Sequence, residues 1–138
     1  MTNQNGYVFV DTAFFKALAD EKDDFHQSAI KIFEKFKEEQ SELITTNFIL
    51  DETITLIRVR CGLERVRMFR RIIASLSPLK IIRVLTQDEE KAWDWFWNNW
   101  KNLSFTDCTT FAVMKRLDLK EVATFDKHFT QAGFKIRT

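Results

Sequence analysis

Short runs of β-branched and aromatic residues alternate along this chain with longer stretches in which apolar residues return every three or four positions. That alternation predicts strands separated by helices. Tyr7 to Val10 is a continuous apolar run, ended by Asp11 and Thr12 and followed by Ala13, Phe14, Ala17 and Leu18 at helical spacing. Asp23 to Gln40 carries Phe25, Ala29, Ile32, Phe33 and Phe36 with charges between them, which predicts an amphipathic helix. Glu42 to Thr45 predicts a second strand. Thr46 or Asn47 can cap a helix over Phe48 to Cys61, and Gly62 suits its stop. Leu63 to Leu76 predicts a helix with Val66, Phe69, Ile72, Ile73 and Leu76 on one face, broken by Ser77-Pro78 before a strand at Leu79 to Leu85. Thr86 to Glu89 has the form of a capping box and opens a helix through Lys101. A loop over Asn102 to Phe105 leads to Thr106-Asp107 and a helix through Leu117. Glu121 to Phe125, a helical turn at Asp126 to Ala132, and Phe134 to Arg137 complete the pattern. The expected class is α/β, a parallel sheet flanked by helices.

In such a sheet the carboxyl ends of all strands share one edge, and ligands bind there. Asp11 and Asp126 each stand just past a strand end. Glu52 lies early in the helix leaving the second strand. Asp107 opens the helix that feeds the fourth strand, so it starts on the same edge. The helical angle distinguishes Glu52 from Asp51. With Ile49 at zero, Leu56, Val59 and Phe48 fall at about 340°, 280° and 260°, and Glu52 at about 300° lies among them, while Asp51 at about 200° joins Arg58 on the polar side.

Close carboxylates repel and raise one another's pKa unless a cation neutralises them. Oxygen ligands without Cys or His favour Mg²⁺ or Mn²⁺ over zinc. Such an ion binds phosphate oxygens and activates water, which makes phosphodiester hydrolysis the natural chemistry. The residues alone leave open that these are simply four of the chain's 20 acids at element ends. Ala13 stands two residues after Asp11, so the Asp-x-Asp pair of aspartyl-phosphate phosphatases is absent.

The segments VFVDT (8–12), TTNFILDET (45–53), SFTD (104–107) and ATFD (123–126) together resemble those of PIN-domain ribonucleases, especially the small VapC-type toxins of toxin-antitoxin pairs. The resemblance covers nearly the whole chain. It implies a three-layer PIN-like fold with sheet order 3-2-1-4-5. It also implies a catalytic, metal-binding quartet of Asp11, Glu52, Asp107 and Asp126, with Thr12 and Thr106 orienting the site. The activity implied is Mg²⁺- or Mn²⁺-dependent endonucleolytic cleavage of RNA. Ala13 departs from relatives that carry a second small polar residue after the first Asp. A maturation nuclease outside a toxin-antitoxin pair, or a non-catalytic RNA- or protein-binding module, would share the fold.

Length and composition add limits. The 138 residues fit a single domain, 1–138, and 45% hydrophobic residues exclude general disorder. A net charge of +1 gives no bulk attraction to nucleic acid. Between Arg58 and Arg83, however, eight basic residues face Glu64 alone, and Arg67, Arg70 and Arg71 form a ridge suited to RNA phosphates. Trp93, Phe96, Trp97 and Trp100 read as a core stripe; Trp95 projects oppositely and is the expected interface residue of a homodimer or an antitoxin complex. Cys61 and Cys108 show no disulfide or zinc spacing, and His26 and His128 no metal spacing. Met1 to Tyr7 has no leader pattern and no segment approaches the roughly 20 apolar residues of a membrane span, so a cytoplasmic protein without membrane contact is expected.

Overall fold

Five parallel strands pair in the order β3-β2-β1-β4-β5, the order the family resemblance implies. The computed structural model describes residues 6–76 and 79–138; the Ser77-Pro78 break expected from the sequence lies outside the described residues, as do Met1 to Asn5. The strands are β1 (Tyr7–Val10), β2 (Glu42–Thr46), β3 (Leu79–Ile82), β4 (Glu121–Ala123) and β5 (Lys135–Ile136). The helices are α1 (Thr12–Ala19), α2 (His26–Glu39), α3 (Asn47–Cys61), α4 (Leu63–Ser75), α5 (Thr86–Phe96), α6 (Phe105–Arg116) and α7 (His128–Gln131).

Strand β1 is central because every residue after Tyr7 in it is apolar and can be covered on both faces, as parallel strands require. Phe9 pairs with Ile44 on one side and Val122 on the other, and Val8, Phe9 and Val10 are buried. Phe14, Phe15, Ile49, Ile57, Phe111, Met114 and Phe129 close the core around the sheet. Phe111 meets Phe129 edge to face with centroids 5.0 Å apart. Gly62 ends α3 and precedes α4 at φ +88°, a left-handed value that a side chain would strain.

Several elements are shorter than the sequence pattern predicts. β3 stops at Ile82 and β4 at Ala123. α2 begins at His26 because Asp23 instead closes a turn, accepting from the Phe25 amide at 2.8 Å and from Lys16 Nζ at 2.8 Å.

Helix α5 departs in both cap and phase. Its capping position is Leu85, not Thr86, and the reciprocating carboxylate is Asp88, which accepts the Leu85 amide at 2.8 Å. The helix ends at Phe96, so the expected stripe of Trp93, Phe96, Trp97 and Trp100 does not form. Trp93 and Trp97 are 47% and 73% exposed. The face turned inward carries Asp88, Ala92 and Trp95, and Trp95 packs on Phe111 of α6 at 5.2 Å between centroids. The placement of Trp95 opposite the packed face is therefore corrected. The cause is an ion pair: Asp88, 2% exposed, receives Arg116 Nε at 2.8 Å and Nη2 at 2.9 Å, and this fork fixes the rotation of α5 against α6.

Asp88→Ala should therefore cost roughly 3 kcal/mol, combining a lost cap with an Arg116 left without its buried partner. Urea denaturation measures it. A loss below about 1 kcal/mol would class the pair with ordinary surface bridges.

Candidate active site

Asp11 follows β1 directly and occupies the capping position of α1. Its amide donates to the Ala123 carbonyl at 3.1 Å, which ties it to the end of β4. Its carboxylate does not cap the helix. It is 3% exposed and accepts the Thr124 hydroxyl at 2.7 Å. Thr124 in turn accepts the Asp126 amide at 3.1 Å, so one hydroxyl links the ends of two neighbouring strands. Thr45 adds a brace on the other side, donating to the Val10 carbonyl at 2.9 Å.

Asp107 is held by a reciprocal cap at the start of α6. Ser104 Oγ accepts the Asp107 amide at 3.0 Å, and Asp107 Oδ2 accepts the Ser104 amide at 3.2 Å. Asp126 Oδ1 accepts the His128 amide at 2.9 Å. The His128 ring places Nδ1 2.9 Å from Asp126 Oδ1 and 3.6 Å from Asp107 Oδ2, while Nε2 lies 2.8 Å from the Lys101 carbonyl.

Glu52 is tied instead to the start of α1. Its Oε1 accepts the Thr12 hydroxyl at 2.7 Å, and Thr12 accepts from Thr53 at 3.2 Å. The apolar sector expected of α3 is displaced, however. Ile49, Thr53 and Ile57 are the buried residues, Val59 is 74% exposed, and Glu52 is an exposed residue on the rim of an open groove of about 500 Å³. Asp51 is also exposed and lines that groove. Thr106 is half-buried in the first turn of α6, and among the described residues its hydroxyl is not part of the hydrogen-bonded chain around the acids.

The structure thus brings two of the four expected acids into one tight group and sets the other two around it. Asp107, Asp126 and His128 offer ligand atoms within 4.8 Å of one another, Asp11 is buried within reach of the Asp107 and Asp126 charges, and Glu52 is bonded to Thr12, the residue after Asp11. Burial, reinforced by the charges of Asp107 and Asp126, pushes the Asp11 carboxyl up to about 7, against the lowering effect of the Thr124 hydroxyl and the Thr12 amide. Burial also pushes Asp107 up to about 6, with the Asp126 charge assisting and the Ser104 bonds opposing. At His128 burial disfavours the cation, but the Lys101 carbonyl and the Asp126 and Asp107 charges outweigh it and hold the pKa above its ordinary value. The donor set fits a divalent cation: hard oxygens in mutual repulsion, and a buried Nδ1 without a partner in hydrogen-bond geometry.

A PIN-domain family model matches residues 8–135. The chain belongs to the PIN-domain family. Within it, this PIN domain is 33% identical over 128 residues to the 23S rRNA-specific endonuclease VapC20 of Mycobacterium tuberculosis (strain CDC 1551 / Oshkosh), covering 92% of this chain and 95% of that protein. The crystal structure of M. tuberculosis VapC20, described as a sarcin-ricin loop cleaving toxin, superposes with a TM-score of 0.79 at 32% identity, over 92% of this chain and 95% of that one. FitAcB from Neisseria gonorrhoeae superposes with a TM-score of 0.67 at 14% identity, over 95% and 96%, a likeness of fold alone. This PIN domain is therefore a VapC-like nuclease by family.

Sequence reasoning passed over Ser104, Thr124 and Thr53, and set His128 aside for want of metal spacing. Ser104 was legible as the first residue of an S-x-x-D capping box, and Thr124 as a hydroxyl one residue past a strand.

An acid whose folded pKa exceeds its unfolded value holds its proton more tightly when folded. Its stabilising contribution is therefore present at low pH and lost as pH rises from about 4 to 7. The metal-free PIN domain should lose melting temperature across that window. Asp11→Asn should flatten the slope and melt higher at pH 8. A wild-type minus variant difference that does not change with pH would contradict charge repulsion at Asp11.

Proposed function

We propose that this PIN domain, residues 1–138 acting as one unit, is a Mg²⁺- or Mn²⁺-dependent endoribonuclease and the toxin of a cytoplasmic toxin-antitoxin pair. One observation carries the reading: the acidic centre at the carboxyl edge of the sheet lies within a chain that aligns with VapC20 over 92% of its length. Among the described residues no helix is long and apolar enough to cross a membrane.

Asp11, Asp107 and Asp126 would hold the cation, and Glu52 would complete the set through its groove-side position. A bound divalent ion supplies charge neutralisation, a more acidic water and a Lewis acid for phosphate oxygens. The chain's own residues do the rest. Thr124 fixes one Asp11 oxygen, the Ser104 box fixes Asp107, and Thr12 orients Glu52. Burial of Asp11 and Asp107 keeps the field at the scissile phosphate strong. Expected products carry 5′-phosphate and 3′-hydroxyl ends.

RNA would lie along the Arg ridge of α4. Arg67, Arg70 and Arg71 are all exposed there; Arg67 also meets the exposed Glu64, and Arg65 beside them meets Glu21 at 3.1 Å. VapC20 acts on 23S rRNA, so a large-subunit rRNA stem-loop is the first substrate to try. A homodimer and a small antitoxin protein are the proposed partners.

Asp11→Asn and Asp107→Asn should lower Mn²⁺-dependent cleavage on the order of a thousandfold, the rate equivalent of the several kcal/mol such an ion contributes. Glu52→Gln should weaken cleavage clearly and Asp51→Asn little. Cut-site mapping on ribosomal RNA and total RNA measures both. Undiminished cleavage by Asp11→Asn would sink the assignment, and a larger loss in Asp51→Asn would mean that the wrong α3 carboxylate has been chosen.

A further inference from the structure

Resting on that reading of the centre as a metal site, we propose that His128 is a direct nitrogen ligand, so that the tight group of the site is Asp107, Asp126 and His128 Nδ1 and not carboxylates alone.

Three observations converge on it. Nε2 lies 2.8 Å from the Lys101 carbonyl, an acceptor only, so Nε2 carries its hydrogen and donates; in the neutral ring Nδ1 then holds the lone pair. A ring nitrogen that donates to a backbone carbonyl while the other faces the ion is the usual arrangement of a metal-bound histidine. Second, Nδ1 is buried with no partner in hydrogen-bond geometry, although two carboxylate oxygens lie 2.9 and 3.6 Å away. A bare lone pair aimed at carboxylates is repulsive, so Nδ1 needs positive charge: a proton in the metal-free site, which a divalent ion set among the same three atoms would displace. Third, the separations fit. Two donors at right angles on a cation with bonds of about 2.1 Å are about 3.0 Å apart, and at wider angles up to about 4 Å.

The ring is also fixed in place. Trp100 lies parallel to it, 9° between planes and 6.3 Å between centroids, and the His128 amide is held by Asp126. Pre-set orientation is what a ligand needs and what an exposed substrate-contacting side chain lacks. The chemical consequence is selectivity. An imidazole beside two carboxylates favours Mn²⁺, and Co²⁺ more strongly, over Mg²⁺, which prefers oxygen donors and retained water.

Electron spin-echo envelope modulation of the Mn²⁺-loaded full chain tests this without reference to cleavage. Imidazole nitrogen modulation is expected, shifting when histidine is ¹⁵N-labelled. The sequence holds two histidines, and His26 faces the Ala17 carbonyl at 2.7 Å, so His26→Gln should leave the signal intact. His128→Ala should abolish it and weaken Mn²⁺ binding about tenfold or more by calorimetry, with a smaller change for Mg²⁺. If that variant fails to fold, the labelled wild-type spectrum still decides. Bound Mn²⁺ without nitrogen modulation overturns the His128 assignment while leaving the nuclease reading standing. Failure to bind Mn²⁺ at all overturns both.

Discussion

The folded chain must hold several carboxylates together where burial and mutual charge both oppose ionisation. Asp11 is the point at which this constraint is sharpest. It is 3% exposed, lies at the meeting of β1 and β4, and has the Thr124 hydroxyl and the Thr12 amide to offset its loss of water. Thr12 and Thr124 donate their hydroxyls to Glu52 and Asp11, the Ser104 amide donates to Asp107, and Thr53 donates to the Thr12 hydroxyl behind it. A neutral polar scaffold of this kind orients acids without cancelling their charge, whereas a lysine or arginine would cancel it. The cation-forming group that touches them is His128, which can give up its proton. Among the described residues the forked Arg–Asp pair, Asp88 with Arg116, lies elsewhere, between α5 and α6.

Much of the fold was legible because a parallel sheet leaves few alternatives. An uninterrupted apolar run such as Tyr7 to Val10 belongs in the centre, and a strand followed at once by an acid and a helix directs that acid to the ligand-binding edge. The same logic applies to Asp107, because a helix returning to a parallel strand must start at that edge. The sheet order itself came from family resemblance; periodicity alone does not supply it.

What periodicity missed has a common origin. On α3 the buried positions are Ile49, Thr53 and Ile57, and a threonine in the middle of a buried face lowers the apparent apolar signal. On α5 the inward residues are Asp88, Ala92 and Trp95. Hydrophobic pattern cannot place an aspartate inside when its partner, Arg116, arrives 28 residues later. Trp93 and Trp97 were the heavier signal and proved to be on the outside. His128 was set aside because its relation to Asp107 and Asp126 is spatial, and its i, i+2 spacing from Asp126 matches no metal motif.

The Thr124 to Asp11 bond joins residues 113 positions apart. A partly folded chain, or one in which β4 has slipped from between β1 and β5, therefore has intact helices and no assembled centre. The bond makes the chemistry depend on a long-range contact and not on any local element. For a protein that cuts RNA this amounts to a safety interlock: until the segment carrying Thr124 and Asp126 has been made and has paired beside β1, the cutting site does not exist.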